Sequence, residues 1–298
     1  MNQPSSRTGA SMAVAAMLCV QLGLAVSIGL IDELGAAGAA WLRLTWGAIL
    51  LVAIVRPRPS AFSRKAVRAS VGLGFATAGA TILFMAALTR LPLGTASALE
   101  FLGPLGVAIV RGRGVGRLWA LAALIGVLLL TQPWAGTADP VGIAYALAAA
   151  VCWASYIVLT QKVGDEVSGI AGLAISMPVA ALVATVVAGH GVVGRLTPEL
   201  LILGLGLALL LPVIPFVLEL IALRRLTTGA FGTLMALEPA FALLIGFVAL
   251  HQKPNLLAVL GIGFVVAAGI GAARSGARTD DAPRVHSASS PEVAPSVR

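Results

Sequence analysis

Four ionisable side chains stand inside long apolar runs of this chain: Arg43, Glu100, Glu219 and Glu238. Placing such a group in hydrocarbon costs about 3 kcal/mol or more unless it is paired or hydrated, so each is a functional candidate by default. The chemistry they offer is charge pairing and proton exchange, not covalent catalysis. In ALEFLGPLGVAIV, residues 98–110, Glu100 is followed one helical turn later by Pro104. Proline has no N–H, so Pro104 leaves the carbonyl of residue 100 without its helical donor, beside a side chain that is itself an acceptor. In FGTLMALEPA, residues 231–240, Pro239 frees the carbonyl of Met235 close to Glu238. Lipid does not tolerate unsatisfied backbone, so both places should face protein or a water-filled cavity. The plainer alternative is that the prolines only kink helices and the carboxylates only pair with neighbours.

Depth assigns roles to the four. Glu238 lies nearest mid-membrane and is the first candidate for a proton-binding carboxylate, because a carboxyl withdrawn from water holds its proton more readily. Arg43 and Glu100 each lie about five residues from an outer boundary, roughly 8 Å deep at helical rise. They are expected to form a structural ion pair, with a gate role for Arg43 as the variant reading. Glu219 lies about a turn from the inner boundary and either lines the pathway or reaches towards water or Arg225. Gln21 and Ser27, with Trp153, Ser155 and Tyr156, are weaker candidates for a substrate pathway, since packing explains any one of them.

Other chemistries lack their residues. Cys19 and Cys152 stand singly in different runs, and His190, His251 and His286 fall in loops or the tail, so there is no metal-ligand spacing. The two cysteines are expected to be buried structural thiols. Neither a phosphate-binding loop nor a nucleophile elbow occurs. No catalytic set, metal or cofactor is expected.

These side chains need elements to hold them, and composition says which. Of 298 residues, 59% are hydrophobic and only 11% charged, and the mean hydropathy is +0.99. That is a membrane protein. Ten apolar runs are readable at approximately 10–30, 38–55, 69–89, 95–110, 118–135, 140–161, 169–188, 200–222, 230–249 and 256–272. They are apolar on every face, which suits membrane helices and not the alternating strands of a barrel. With the first residues inside, sixteen of the twenty Lys and Arg fall in cytoplasmic segments, as the retention of cations on that side requires. Both termini are therefore expected in the cytoplasm of a bacterial-type cell. The net charge of +8 is accounted for by this orientation, and no nucleic-acid-binding pattern accompanies it. The first run reads as a span and not a cleaved signal, and residues 274–298 read as a disordered cytoplasmic tail. Gly142, Ala146, Ala150 and Ala154 form a small-residue packing stripe, and Trp119 with Trp134 suits interfacial anchoring.

The chain also repeats itself. ALTRLPLGTASALEFLGPL from Ala87 and ALRRLTTGAFGTLMALEPA from Ala222 align without gaps at an offset of 135 residues, matching Leu99 to Leu234 and Pro104 to Pro239. Each half then holds five spans, and because five is odd the second half enters the membrane from the opposite side. The expectation is an all-α membrane protein of ten transmembrane helices in two inverted five-helix repeats, 1–137 and 138–273. Inverted repeats with broken helices near the midplane are a transporter design. The pathway candidates are Gln21, Ser27, Glu100, Pro104, Trp153, Tyr156, Glu219, Glu238 and Pro239. A channel or uncoupled facilitator is the alternative, and a membrane-embedded enzyme would need a clustered catalytic set that no run contains.

The segments VQLG (20–23), LRL (42–44), PLGTASALEFLGPL (92–105), CWASYI (152–157), PFVLELIALRRL (215–226) and FGTLMALEPA (231–240) resemble the EamA-type branch of the drug/metabolite transporter superfamily. Within it the chain is most similar to the inner-membrane threonine/homoserine exporters, from about residue 15 to 272. The resemblance implies a central cavity and export of small metabolites, often amino acids, with protons as the coupling partner and the lipid bilayer as the setting. Departures are Ile28 where Lys is frequent, Thr81 and Met85 where Asn and Tyr are common, and His251-Gln252 in place of Gly-Glu. The cavity should accordingly be less polar than in those exporters.

Overall fold

The computed structural model describes residues 3–57, 62–111, 116–132, 139–166, 171–223, 225–226 and 228–275. The disordered tail expected at 274–298 lies almost entirely outside the described residues, as do Trp134 and His286. Every regular element among the described residues is helical. In order they are α1 (Gln3–Val55), α2 (Arg64–Leu88), α3 (Leu93–Glu100), α4 (Leu102–Arg111), α5 (Gly116–Thr131) and α6 (Pro140–Glu166). There follow α7 (Ala171–Val192), α8 (Pro198–Ala208), α9 (Ile214–Leu223), α10 (Thr228–Met235), α11 (Glu238–Ala249) and α12 (Leu256–Ser275). Five stretches within this set have the length and hydropathy to cross a membrane.

Breaks fall where the sequence puts a glycine or a proline. The first two apolar runs are two helical arms of α1, separated by a kink at Gly35, whose φ of 76° lies in the left-handed region that a residue without Cβ enters cheaply. A five-residue π-helix, Leu209–Val213, carries Pro212 and links α8 to α9, as expected where an intruding proline displaces the regular ladder. The expected fourth and ninth runs are each two short helices. α3 stops at Glu100, α10 stops at Met235, and these are the two residues whose carbonyls the prolines leave without a donor.

The helices pack mainly α2 on α6 and α7, α1 on α7 and α9, α5 on α12, and α3 on α11. Small residues allow the closest approaches. A Cβ on Gly126 would lie 2.8 Å from the Gly261 carbonyl, and one on Gly261 would lie 2.8 Å from the Gly126 carbonyl. The stripe on α6 behaves as expected: a Cβ on Gly142 would meet Arg90 at 2.8 Å, and one on Gly103 would collide with the Ala150 carbonyl. Trp119 is a packing residue, since its ring fills the space beside Gly271 and it joins the α5–α12 cluster.

The apolar core is unevenly distributed along the bundle. Its largest cluster includes Leu30, Leu34, Leu88, Leu91, Leu93 and Val192, which sit where α1 turns back, α2 ends, α3 begins and α7 ends. Cross-links join elements at that same end. The Arg195 guanidinium donates to the Glu33 carbonyl. Gln252 Oε1 accepts from the Leu93 backbone N at 3.0 Å. Gln132 Nε2 lies 3.2 Å from Asn255 Oδ1, and Arg90 pairs with Asp139 at 2.6 Å.

Candidate functional site

A cavity of about 480 Å³ occupies the other part of the bundle. It reaches from Arg43 and Glu100 to Ile54 and Val55 at the end of α1 and to Leu173 near the start of α7. Its walls come from both halves of the chain. Thr77, Ala80, Thr81 and Phe84 of α2 face in, as do Pro215 and Glu219 of α9.

All four ionisable residues singled out from the sequence line this one cavity. α3 ends on Glu100 and α11 begins on Glu238, so both carboxylates sit at helix breaks, where the chain turns inside the bundle. The four charges share one cavity, so each lies in the field of the others. Glu219 is turned to the cavity and makes no ion pair with Arg225 among the described residues. Trp153 and Tyr156 of α6 also face the cavity.

Other expected residues are placed differently. Gln21 is fully buried beside the cavity, with Nε2 3.4 Å from Glu238 Oε1. Its own Oε1 has no hydrogen-bond partner among the described residues. Ser27 is also fully buried, but its hydroxyl donates to the Gly23 carbonyl of its own helix at 2.7 Å, and it does not line the cavity. Ser155 donates to Val151 in the same way at 2.8 Å and is exposed on the outside of the bundle. Pro104 and Pro239 act on the backbone and contribute no surface to the cavity.

The expected structural ion pair is not formed at contact distance. Arg90 and Asp139 form an ion pair at 2.6 Å, whereas Arg43 has no carboxylate within 4.0 Å among the described residues. Arg43 Nη1 instead points to Met85 Sδ at 3.8 Å, a weak acceptor that leaves most guanidinium donors unused. Cys19 and Cys152 are unpaired and only half-buried, which corrects the expectation of buried thiols.

The sequence reading passed over Pro215. A weaker signal was present: Pro215 stands one turn before Glu219, although here the proline precedes the carboxylate and not the reverse.

Residues 140–273 match the EamA-like transporter family. The chain is 36% identical over 260 residues to the threonine/homoserine exporter RhtA of Escherichia coli (strain K12), covering 86% of this chain and 88% of that one. It is 35% identical over the same length to the threonine/homoserine exporter RhtA of Salmonella typhimurium (strain SL1344). A crystal structure of a protein 19% identical superposes with a TM-score of 0.57, covering 95% of this chain and all of that one. This likeness concerns the fold alone.

Proposed function

The chain belongs to the EamA-like transporter family, and from that premise we propose that it exports small amino acids of the threonine/homoserine kind across the cytoplasmic membrane by alternating access. It is a transporter and not an enzyme. The observation that carries the reading is the single cavity into which both halves of the chain send carboxylates, Glu100 from one and Glu219 with Glu238 from the other.

In this reading ten membrane-crossing segments form two inverted halves, 1–137 and 138–273, with both termini in the cytoplasm. Four relations support it, all at the 135-residue offset of the sequence repeat. Helix breaks follow Glu100 and Met235. Gly126 and Gly261 pack reciprocally against each other's carbonyls. The cavity is lined by Ala80 and Phe84 from one half and by Pro215 and Glu219 from the other. Finally α2 packs on α6 as α9 packs on α1, the exchange of partners that a twofold relation between halves produces.

The cation bias puts the ends of α1 and α2 near residues 55–64 on the cytoplasmic side. The cavity reaches that side, while leucines and four cross-links fill the other. In this reading the form is inward-facing. A chamber packed shut at one end suits a carrier better than an open channel. Protons are the proposed coupling ion, with Glu238 the first carboxylate to exchange them.

Export reads out directly in cells. Expression should lower intracellular labelled threonine and homoserine and raise resistance to toxic analogues of both. Unchanged efflux and unchanged resistance for every amino acid tested would remove this reading.

A further inference from the structure

We infer that Arg43 is the ligand for the carboxylate of the transported molecule, which makes the cargo a zwitterion held between Arg43 and Glu100. This rests on the reading of the cavity as an amino-acid site and assigns the residues that recognise its charges.

Arg43 is the one cation among the described residues that line the cavity. A guanidinium carries five N–H donors in a planar fork, a shape that fits a carboxylate with two parallel hydrogen bonds. At this depth such a group needs partners, yet no carboxylate among the described residues lies within 4.0 Å of it. Its side-chain contact is the Met85 thioether at 3.8 Å. Glu100 lines the same cavity and supplies a countercharge without occupying the donors. The site therefore holds an arginine whose charge is partly answered and whose hydrogen-bonding fork is open to the cavity.

A molecule with a carboxylate alone would satisfy the fork but would add a negative charge beside Glu100, Glu238 and Glu219. A molecule with an amine alone would suit the carboxylates and leave the fork empty. An α-amino acid does both, with its carboxylate on Arg43 and its ammonium towards Glu100. Trp153 and Tyr156 offer aromatic faces on the same wall, which suit an ammonium. The Thr81 hydroxyl, also in the lining, can meet a hydroxylated side chain. The remaining walls are apolar and suit a short aliphatic stem.

The test uses the full-length protein in proteoliposomes, with labelled threonine competed by unlabelled threonine, threoninamide and 1-amino-2-propanol. The two competitors keep the amine and hydroxyl but lack the carboxylate. The wild-type protein should prefer threonine to threoninamide by roughly tenfold or more, the worth of a charged hydrogen-bonded pair. Arg43→Gln should bring that ratio close to one, and Arg43→Lys should keep an intermediate preference. Glu100→Gln should weaken threonine and threoninamide together, leaving their ratio near the wild-type value. Equal competition by acid and amide in the wild-type protein would overturn the inference, and needs no variant to fold. So would an Arg43→Gln protein that loses both ligands in proportion. If threonine is carried but the ratio is flat, the amino-acid reading stands and this assignment fails. If the wild-type protein carries none of the three, both fail.

Discussion

Gln21 Nε2 lies 3.4 Å from Glu238 Oε1, joining two side chains separated by 217 positions in the sequence. Gln21 comes from the middle of the first arm of α1 and Glu238 opens α11, so the contact ties the two proposed halves together beside the cavity. Replacing Glu238 with Gln keeps the size and the hydrogen-bonding capacity but removes the exchangeable proton. Export driven by a pH gradient should then be lost while the thermal midpoint of the purified protein changes little. Coupling that survives in this variant would take Glu238 out of the mechanism.

Truncating the other partner has a structural cost. Gln21→Leu leaves the Glu238 carboxyl without its side-chain donor in a part-buried place and should destabilise the protein by about 0.5–1.5 kcal/mol. Thermal unfolding in detergent, with and without Glu238→Gln, measures it. The two substitutions should be non-additive, because they alter opposite partners of the same contact.

At the crossing of α5 and α12, Gly126 and Gly261 each occupy a place where a Cβ would stand 2.8 Å from the partner's carbonyl. Backbone cannot yield as a flexible side chain does. Gly126→Val and Gly261→Val should each destabilise by about 1–3 kcal/mol through overpacking, and by similar amounts because the contact is reciprocal. Thermal midpoints of the two variants check this. A tolerated valine at either site would show that the helices separate more easily than their packing implies.

Gln252 caps the start of α3 from the loop before α12, accepting from the Leu93 N–H. Gln252→Ala should cost about 0.5–2 kcal/mol, the worth of a helix cap, whereas Gln252→Glu keeps an acceptor and should cost less. Loosening this end should also raise labelling of a cysteine introduced at Thr81 by an impermeant reagent applied from outside. Labelling unchanged from the parent would show that Gln252 only caps a helix.

Arg90 and Asp139 join the α2–α3 turn to the start of α6. The Asp139 carboxylate accepts from the Arg90 guanidinium and from the Gly142 and Val141 backbone N–H groups, and these hold it below the usual carboxylate range. A carboxyl lowered in the folded state stabilises the fold above its unfolded value and loses that contribution as the pH falls through the lowered one. The stability difference between the wild-type protein and Asp139→Asn should therefore be small, present at neutral pH, and vanish in acid. The Arg90 share of it should fade in high salt, because the pair is exposed. Thermal midpoints across acidic to neutral pH, at low and high salt, test the sign.

The helical character and the helix ends at Glu100 and Met235 were legible for one physical reason. Apolar runs cannot conceal a charge or a proline without cause. Glu100, Glu219 and Glu238 stand out against their surroundings, and Pro104 and Pro239 locate the ends of α3 and α10 by the hydrogen bond they remove. Partner choice was less legible. Arg43 and Glu100 share a depth, but depth does not fix the rotation of each helix, and the guanidinium turned towards Met85. Ser27 looked polar enough to line a pathway, yet a serine inside a helix can satisfy its hydroxyl on its own backbone. Caps such as Gln252 on Leu93 depend on loops meeting in space, which no spacing within one segment reports.

The carboxylate-lined cavity is proposed to be a chamber opening to each side in turn. Counterflow tests it most directly: proteoliposomes loaded with excess unlabelled threonine should transiently accumulate external labelled threonine above equilibrium, because a carrier returns faster when loaded. Labelled threonine that only equilibrates, at a rate indifferent to what the vesicles contain, would contradict the account and indicate a pore.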